Sequence, residues 1–286
     1  MRGAAETMEV LRPRSADDAV KLFSKHPAAS PLAGGTDFMV AWNAGHLNGR
    51  SVLDLSGVRE WTSIKTAASG VVIGALATHS EIQKHSVICK RFPLLVEACA
   101  TIGALQIQNR GTLGGNIANA SPAGDTFPPL LVYEAFVRTV SSRGTRRLAI
   151  SEVFVGVKKT TLGPSELIEA IELPFLEKPP TRQVFRKVGT RLAQAISKTM
   201  AAGILTLGKD RLVEDFRFSL GSMAPTAVRL TEAEAAVVGR KLNAGVIAQA
   251  CRLLDRNVSP IDDIRSTRAY RLETSRNILR RFLESA

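Results

Sequence analysis

The chain has little of what builds metal centres or cross-links. Its 286 residues include three cysteines, Cys89, Cys99 and Cys251, and none stands at C-x-x-C spacing. An odd, scattered set excludes a disulfide framework, and an iron–sulfur cluster held by one chain needs four such ligands. The four histidines, His26, His46, His79 and His85, form no H-E-x-x-H pattern, so no zinc site is expected and no metal ligand is assigned. Aromatic residues make up only 5% and do not dominate the packing. No apolar run approaches the ~20 residues that cross a bilayer. Met1 to Val10 mixes Arg2, Glu6 and Glu9 with small residues and lacks the apolar stretch of a signal peptide, so a cytoplasmic location is expected.

Basic charge is in excess, with a formal net charge of +12. Nucleic-acid binders gather such charge on one face and interleave aromatics. Here Arg and Lys are dispersed, and the densest patch, Arg143 to Arg147, reads as a hairpin turn. A solvated basic surface, or a face for a protein partner, outweighs nucleic-acid binding; a basic non-enzymatic binding module stays as an alternative. The 45% hydrophobic content, spread along the chain, supports more than one compact unit.

Local patterns divide the chain. Ser15-Ala16-Asp17-Asp18 resembles a capping box ahead of an apolar helical stripe. A second helix is read over Phe38 to Trp42, and a strand over Val52 to Leu55. Val71 to Ala75 is a strand, Ser80-Glu81-Ile82 opens a helix, and Pro93 to Ala100 is another. Val137–Val140 and Leu148–Ile150 flank Arg143-Gly144 as a hairpin. Ile171, Leu173 and Phe175 alternate with Glu172 and Pro174, which predicts a strand near a sheet edge. Pro174, Pro179 and Pro180 mark a linker. Beyond it, Ile204 to Leu207 and the alternating Phe216, Phe218 and Leu220 form an antiparallel hairpin. Thr231-Glu232-Ala233-Glu234 reads as a second capping box, and Ala248–Leu254 and Leu272–Leu283 as two more helices. The fold class is α+β, ending in a small antiparallel sheet packed by three helices.

Two loops carry the chemical signal. Ala33-Gly34-Gly35-Thr36-Asp37 and Thr112-Leu113-Gly114-Gly115-Asn116 each pair glycines with a threonine and a short polar residue. Successive backbone N–H groups in a glycine turn form a concave nest for a pyrophosphate, and glycine lets the phosphate approach closely. Neither loop fits G-x-G-x-x-G or the Walker pattern, so a nicotinamide-dinucleotide Rossmann site and a P-loop are poorly supported. Each glycine pair alone is also compatible with an ordinary turn. The surroundings of the second pair, Ala120-Ser121-Pro122-Ala123-Gly124-Asp125, make it specific.

With these stretches the chain resembles the FAD-binding medium subunit of molybdenum hydroxylases, the xanthine dehydrogenase and carbon monoxide dehydrogenase family. Its flavin domain is of the type also seen in p-cresol methylhydroxylase. The resemblance runs the length of the chain, through Thr161 to Ile168, Phe185-Arg186-Lys187, Ala195-Ile196-Ser197, Ala224-Pro225-Thr226 and Asp263 to Arg271. It implies a p-cresol-methylhydroxylase-type FAD-binding domain over 1–176, with subdomains of about 1–57 and 58–176, and a C-terminal domain over 181–286.

By the same resemblance, Leu32, Ala33, Gly34, Gly35, Thr36 and Asp37, with Thr112, Leu113, Gly114, Gly115 and Asn116, wrap the FAD pyrophosphate. Ile102 lies on the adenine side. Asp125 accepts hydrogen bonds from FAD hydroxyls, although a turn aspartate is its plainer reading. Ile168 meets the flavin through its backbone, against core packing. Lys187 reaches the isoalloxazine region, where a cation favours reduced flavin, against a surface lysine. Ile196 packs on the ring face. The family commonly has arginine where this chain has Gln108, which puts one local contact in question.

No side chain is assigned a catalytic role. The implied protein is an electron-transfer subunit: molybdenum cofactor and iron–sulfur clusters sit on a large and a small partner subunit, in a dimer of heterotrimers. Electrons arrive from the iron–sulfur centres and leave through FAD for NAD, a quinone or oxygen. A stand-alone flavin oxidoreductase of the same fold is the alternative.

Overall fold

The computed structural model describes residues 8–286, so most of the Met1–Val10 reading lies outside the described residues. The first unit is a three-stranded parallel sheet in which Val52–Asp54 lies between Val10–Leu11 and Ser30–Leu32. Helix Ala16–Lys25 links the outer strands and buries Ala19 and Phe23. Ser15 caps it by accepting from the Asp18 N–H at 3.2 Å. The Asp18 carboxylate turns to the N–H of Arg14 at 3.0 Å, one residue before the reciprocal partner of a capping box.

The second sheet is antiparallel, in the order Ile64–Ala67, Gly70–Gly74, Leu167–Pro174, Phe136–Ser141, Gly144–Ala149. The 136–149 hairpin forms as expected. The strand expected near an edge, Leu167–Pro174, instead occupies the centre, with residues buried on both faces. Pro174 is tolerated there because it ends the strand, where a missing N–H costs no ladder bond. Helices Pro93–Ala100, Leu113–Asn119 and Phe127–Val132 belong with this sheet, and its core joins Ile73, Phe92, Phe127, Tyr133 and Ile171. The Phe92 and Tyr133 rings meet edge to face at 5.1 Å. The buried Tyr133 hydroxyl donates to Gln183 at 2.7 Å and accepts from the Leu94 N–H at 3.3 Å, so its polar tip is satisfied.

The third sheet is antiparallel, in the order Arg182–Val188, Thr199–Leu207, Val213–Gly221, Val228–Arg229. Thr199–Leu207 is almost continuously apolar because both its faces are covered. Ala201 and Leu205 face a core built with helices Thr231–Val237, Ala244–Asn257 and Arg268–Glu284. The alternate residues Ala202 and Ile204 join the core of the second sheet.

The capping box expected at Thr231 does not form. Leu230 holds the cap position, and no side chain caps the helix. The Glu234 carboxylate accepts instead from the buried Phe218 N–H at 2.8 Å and pairs with Arg229 at 2.7 Å. A buried strand donor with no ladder partner outcompetes a helix end that water can satisfy. Among the described residues, no helix is long and apolar enough to cross a membrane.

Candidate functional site

The two glycine loops, far apart in sequence, touch. Strand Ser30–Leu32 delivers Ala33 to Asp37, and helix Phe38–Asn43 follows. A β-carbon on Gly34 would stand 1.8 Å from the Arg110 carbonyl oxygen, so only glycine permits this backbone crossing. Gly35 takes φ +78°, the left-handed region, beside the Leu32 side chain. The N–H groups of Gly34, Gly35, Thr36 and Asp37 find no acceptor among the described residues. This run of free donors, half-buried from Gly34 to Thr36 and exposed at Asp37, is what an anion requires.

The second loop is built differently from the expectation. Thr112 caps helix Leu113–Asn119, its hydroxyl accepting from the Gly115 N–H at 3.1 Å. The N–H groups of Leu113 and Gly114 donate to Ala77 and Ala75 carbonyls at 3.1 and 3.0 Å. The amides of Leu113, Gly114 and Gly115 are therefore engaged inside the protein and form no open nest. Gly114 is glycine for packing, since a β-carbon would come within 2.6 Å of Ala75. This loop acts as a wall against the first, with Gly115 facing the Ala33 side chain. Asn116 accepts from the Thr126 hydroxyl at 2.6 Å, which leaves its amide NH2 without an acceptor among the described residues.

Asp125, in the turn ahead of helix Phe127–Val132, and Lys187, on strand Arg182–Val188 of the third sheet, meet in one buried ion pair. Lys187 Nζ lies 2.7 Å from Asp125 Oδ2 and donates to the Thr101 carbonyl at 3.0 Å. Asp125 Oδ1 is buried with no hydrogen-bond partner. Burial raises the Asp125 carboxyl to about 6, against the opposing pull of Lys187. An orphaned carboxylate oxygen is costly unless a donor arrives, and a ligand hydroxyl is such a donor. Behind it, burial and then the charge of Asp125 push the Cys99 thiol well up, and burial lowers His79 to about 4. Both are neutral at pH 7, with Cys99 Sγ 3.5 Å from His79 Nδ1. His79 also donates its backbone N–H to the Gly111 carbonyl at 3.0 Å, tying this buried pair to the second loop.

The remaining expected residues spread around this centre. Ile102 is half-buried, and its carbonyl accepts from Gln108 Nε2 at 3.1 Å. Gln108 also donates to the Ala100 carbonyl and accepts from Gln83, so this glutamine braces the 100–108 turn. Ile168 lies in the main core beside a register shift in the central strand. Ile196 is 55% exposed on the connection between Val188 and Thr199. That connection reaches the second loop's approach, where the Gln194 N–H donates to the Gly103 carbonyl at 3.3 Å. A groove of about 580 Å3 runs beside Thr101, Lys187, Val188 and Arg191. Sequence reasoning missed the parts played by Thr101, Cys99 and His79. Each is an ordinary residue in an ordinary pattern, and only its neighbours in space give it a role. Among the described residues no cluster of His, Cys, Asp or Glu could hold a metal ion.

Comparison with known proteins bears on this geometry. Residues 6–176 match the family model of the FAD binding domain in molybdopterin dehydrogenase, and residues 183–286 that of the CO dehydrogenase flavoprotein C-terminal domain. The chain is 30% identical to the glyceraldehyde dehydrogenase medium chain of Sulfolobus acidocaldarius, with 92% of each chain covered. It is 28% identical to the xanthine dehydrogenase FAD-binding subunit of Escherichia coli O157:H7, over 94% of this chain and 92% of that one. Reconstituted CO dehydrogenase from Oligotropha carboxidovorans contains a chain of the same fold, with a TM-score of 0.92, 27% identity, and 99% and 98% of the two chains covered.

Proposed function

The chain belongs to the family of FAD-binding medium subunits of molybdenum hydroxylases, and from that premise we propose that it is the flavin-bearing electron-transfer subunit of a multi-subunit dehydrogenase. The observation that carries the site assignment is a set of free donors and an orphaned acceptor on either side of one loop, Gly115 facing Ala33 and Asn116 bonded to Thr126 beside Asp125. Four unpaired amides at Gly34 to Asp37 suit a pyrophosphate, and the buried Asp125 Oδ1 suits a cofactor hydroxyl. The residues present therefore fit FAD.

When bound, FAD supplies redox chemistry able to link an iron–sulfur donor to NAD, a quinone or oxygen. The chain's own residues do the rest. Gly34 to Asp37 bind phosphate oxygens through N–H groups. Asn116 offers its free amide, and the second loop, from Thr112 to Gly115, holds the first in place. Asp125 orients by accepting a hydrogen bond from a cofactor hydroxyl, and Lys187 opposes the burial that favours its protonation. Ile102 and Ile168 supply apolar and backbone contact at the edges. The large molybdenum and small iron–sulfur partners, their pairing as a dimer of heterotrimers, and a cytoplasmic location complete the reading. The relatives' names as medium chains and FAD-binding subunits support the partners.

Purification of the full chain with its co-purifying partners, followed by absorption spectroscopy, tests the reading. The expected result is a flavin spectrum with one FAD released per chain on denaturation. A folded, colourless chain that takes up no added FAD would refute it.

A further inference from the structure

Asp125 stands just ahead of helix Phe127–Val132, and Glu134 just behind it. This helix is only six residues long, too short to be stable on its own, with Pro128 and Pro129 in its first turn where no intrahelical donor is needed. Its C-terminal end is held from outside. Arg217, on strand Val213–Gly221, donates Nη1 to the Val132 carbonyl at 3.2 Å and lies 3.0 Å from the Glu134 carboxylate. Arg229 donates Nη1 to the Leu131 carbonyl at 3.2 Å and meets Glu134 at 3.3 Å. Glu234 fixes the far side of Arg229 at 2.7 Å. Glu134 adopts φ +53°, a left-handed conformation unusual for a glutamate, and this bend brings its carboxylate to both guanidinium groups.

Guanidinium groups at the negative end of a helix satisfy its open carbonyls and complement its dipole. The front of the same segment is held too, by Lys187 on Asp125 and by the Ser222 N–H on the Pro122 carbonyl at 3.0 Å. Every one of these grips comes from the C-terminal sheet and its adjoining turn. We propose that Arg217 and Arg229 are positioning residues for the cofactor site: they lock the helix from its far end and so keep the Asp125 carboxylate aimed at FAD. The inference rests on the FAD reading above. It gives the C-terminal sheet a part in cofactor retention that reaches beyond Lys187.

The test is a double-mutant cycle on the full chain, read as the FAD dissociation constant from flavin fluorescence. Arg217→Gln and Arg229→Gln are each expected to weaken FAD about 10-fold. In an Asp125→Asn background the same changes are expected to cost less than about 2-fold, because their route is already cut. Should either arginine variant fail to fold, Glu134→Gln keeps the carbonyl bonds and is expected to lose about 3-fold, again only when Asp125 is present. Equal losses in both backgrounds, or a lowered melting temperature with unchanged FAD affinity, would overturn the proposal. A wild-type chain that binds no FAD would overturn the functional reading and this inference with it.

Discussion

The α-carbon of Gly34 packs against the carbonyl oxygen of Arg110 so closely that a β-carbon there would stand 1.8 Å from it. That one contact joins two loops separated by more than seventy residues into a single wall. Gly34→Ala must push them apart. Overpacking of this kind costs about 1–3 kcal/mol, and the displaced amides are expected to weaken FAD by about tenfold or more. Denaturant unfolding and flavin fluorescence measure the two effects. Wild-type affinity in this variant would remove the first loop from the site.

The raised Asp125 carboxyl gives a pH signature. Its value in the fold, about 6, lies above the ordinary 3.8, so the protonated form is favoured by folding. Its contribution is complete below 3.8 and is lost as pH rises through 6. The difference in unfolding free energy between wild type and Asp125→Asn, without FAD, is expected to fall by up to about 3 kcal/mol from pH 4 to pH 7. Urea titrations at half-unit pH intervals report it, and a flat difference would show that Asp125 is not desolvated.

Glu166 predicts the opposite slope. Burial alone would raise its carboxyl, but bonds from Arg146, Thr139 and the Gly163 N–H hold it at about 2, below the ordinary 4.5. Arg146 donates to its two oxygens at 2.7 and 2.6 Å. The stability this supplies is present above 4.5 and is lost as pH falls toward 2. Glu166→Gln is expected to destabilise the chain by about 2 kcal/mol at pH 7, discounted because Arg146 is half exposed. That penalty is expected to shrink steadily in acid, as thermal or urea unfolding at each pH would reveal.

Tyr133→Phe tests how the second and third sheets are joined. It removes the bond to Gln183 and leaves the buried Leu94 N–H without its partner. A loss of about 1–2 kcal/mol in equilibrium unfolding is expected. A neutral result would mean that water replaces the hydroxyl.

Much of the fold was legible in the sequence where the signal is local. The hairpin around Arg143-Gly144, the Phe216 to Leu220 alternation and the three terminal helices follow from residue periodicity, which a few neighbours suffice to set. The same local reasoning placed Leu167–Pro174 near an edge, because proline usually marks one. Strand order is decided by which partners cover it, and no residue within the strand records them. Thr231 to Glu234 matched a capping pattern, yet Phe218, from another element, claimed the glutamate.

The amino-acid sequence by itself determined that two glycine-paired loops were present, that the chain holds no cysteine set for a cluster, and which family it resembles. The tertiary structure decided how the site works. It brought Gly34 onto Arg110, directed the second loop's amides inward, and paired Asp125, in a turn, with Lys187 on a strand of the third sheet. Backbone torsions and side-chain periodicity are short-range properties that a sequence displays directly. Burial, charge pairing and an unsatisfied carboxylate oxygen are properties of groups distant in sequence, and they exist only once the chain has folded.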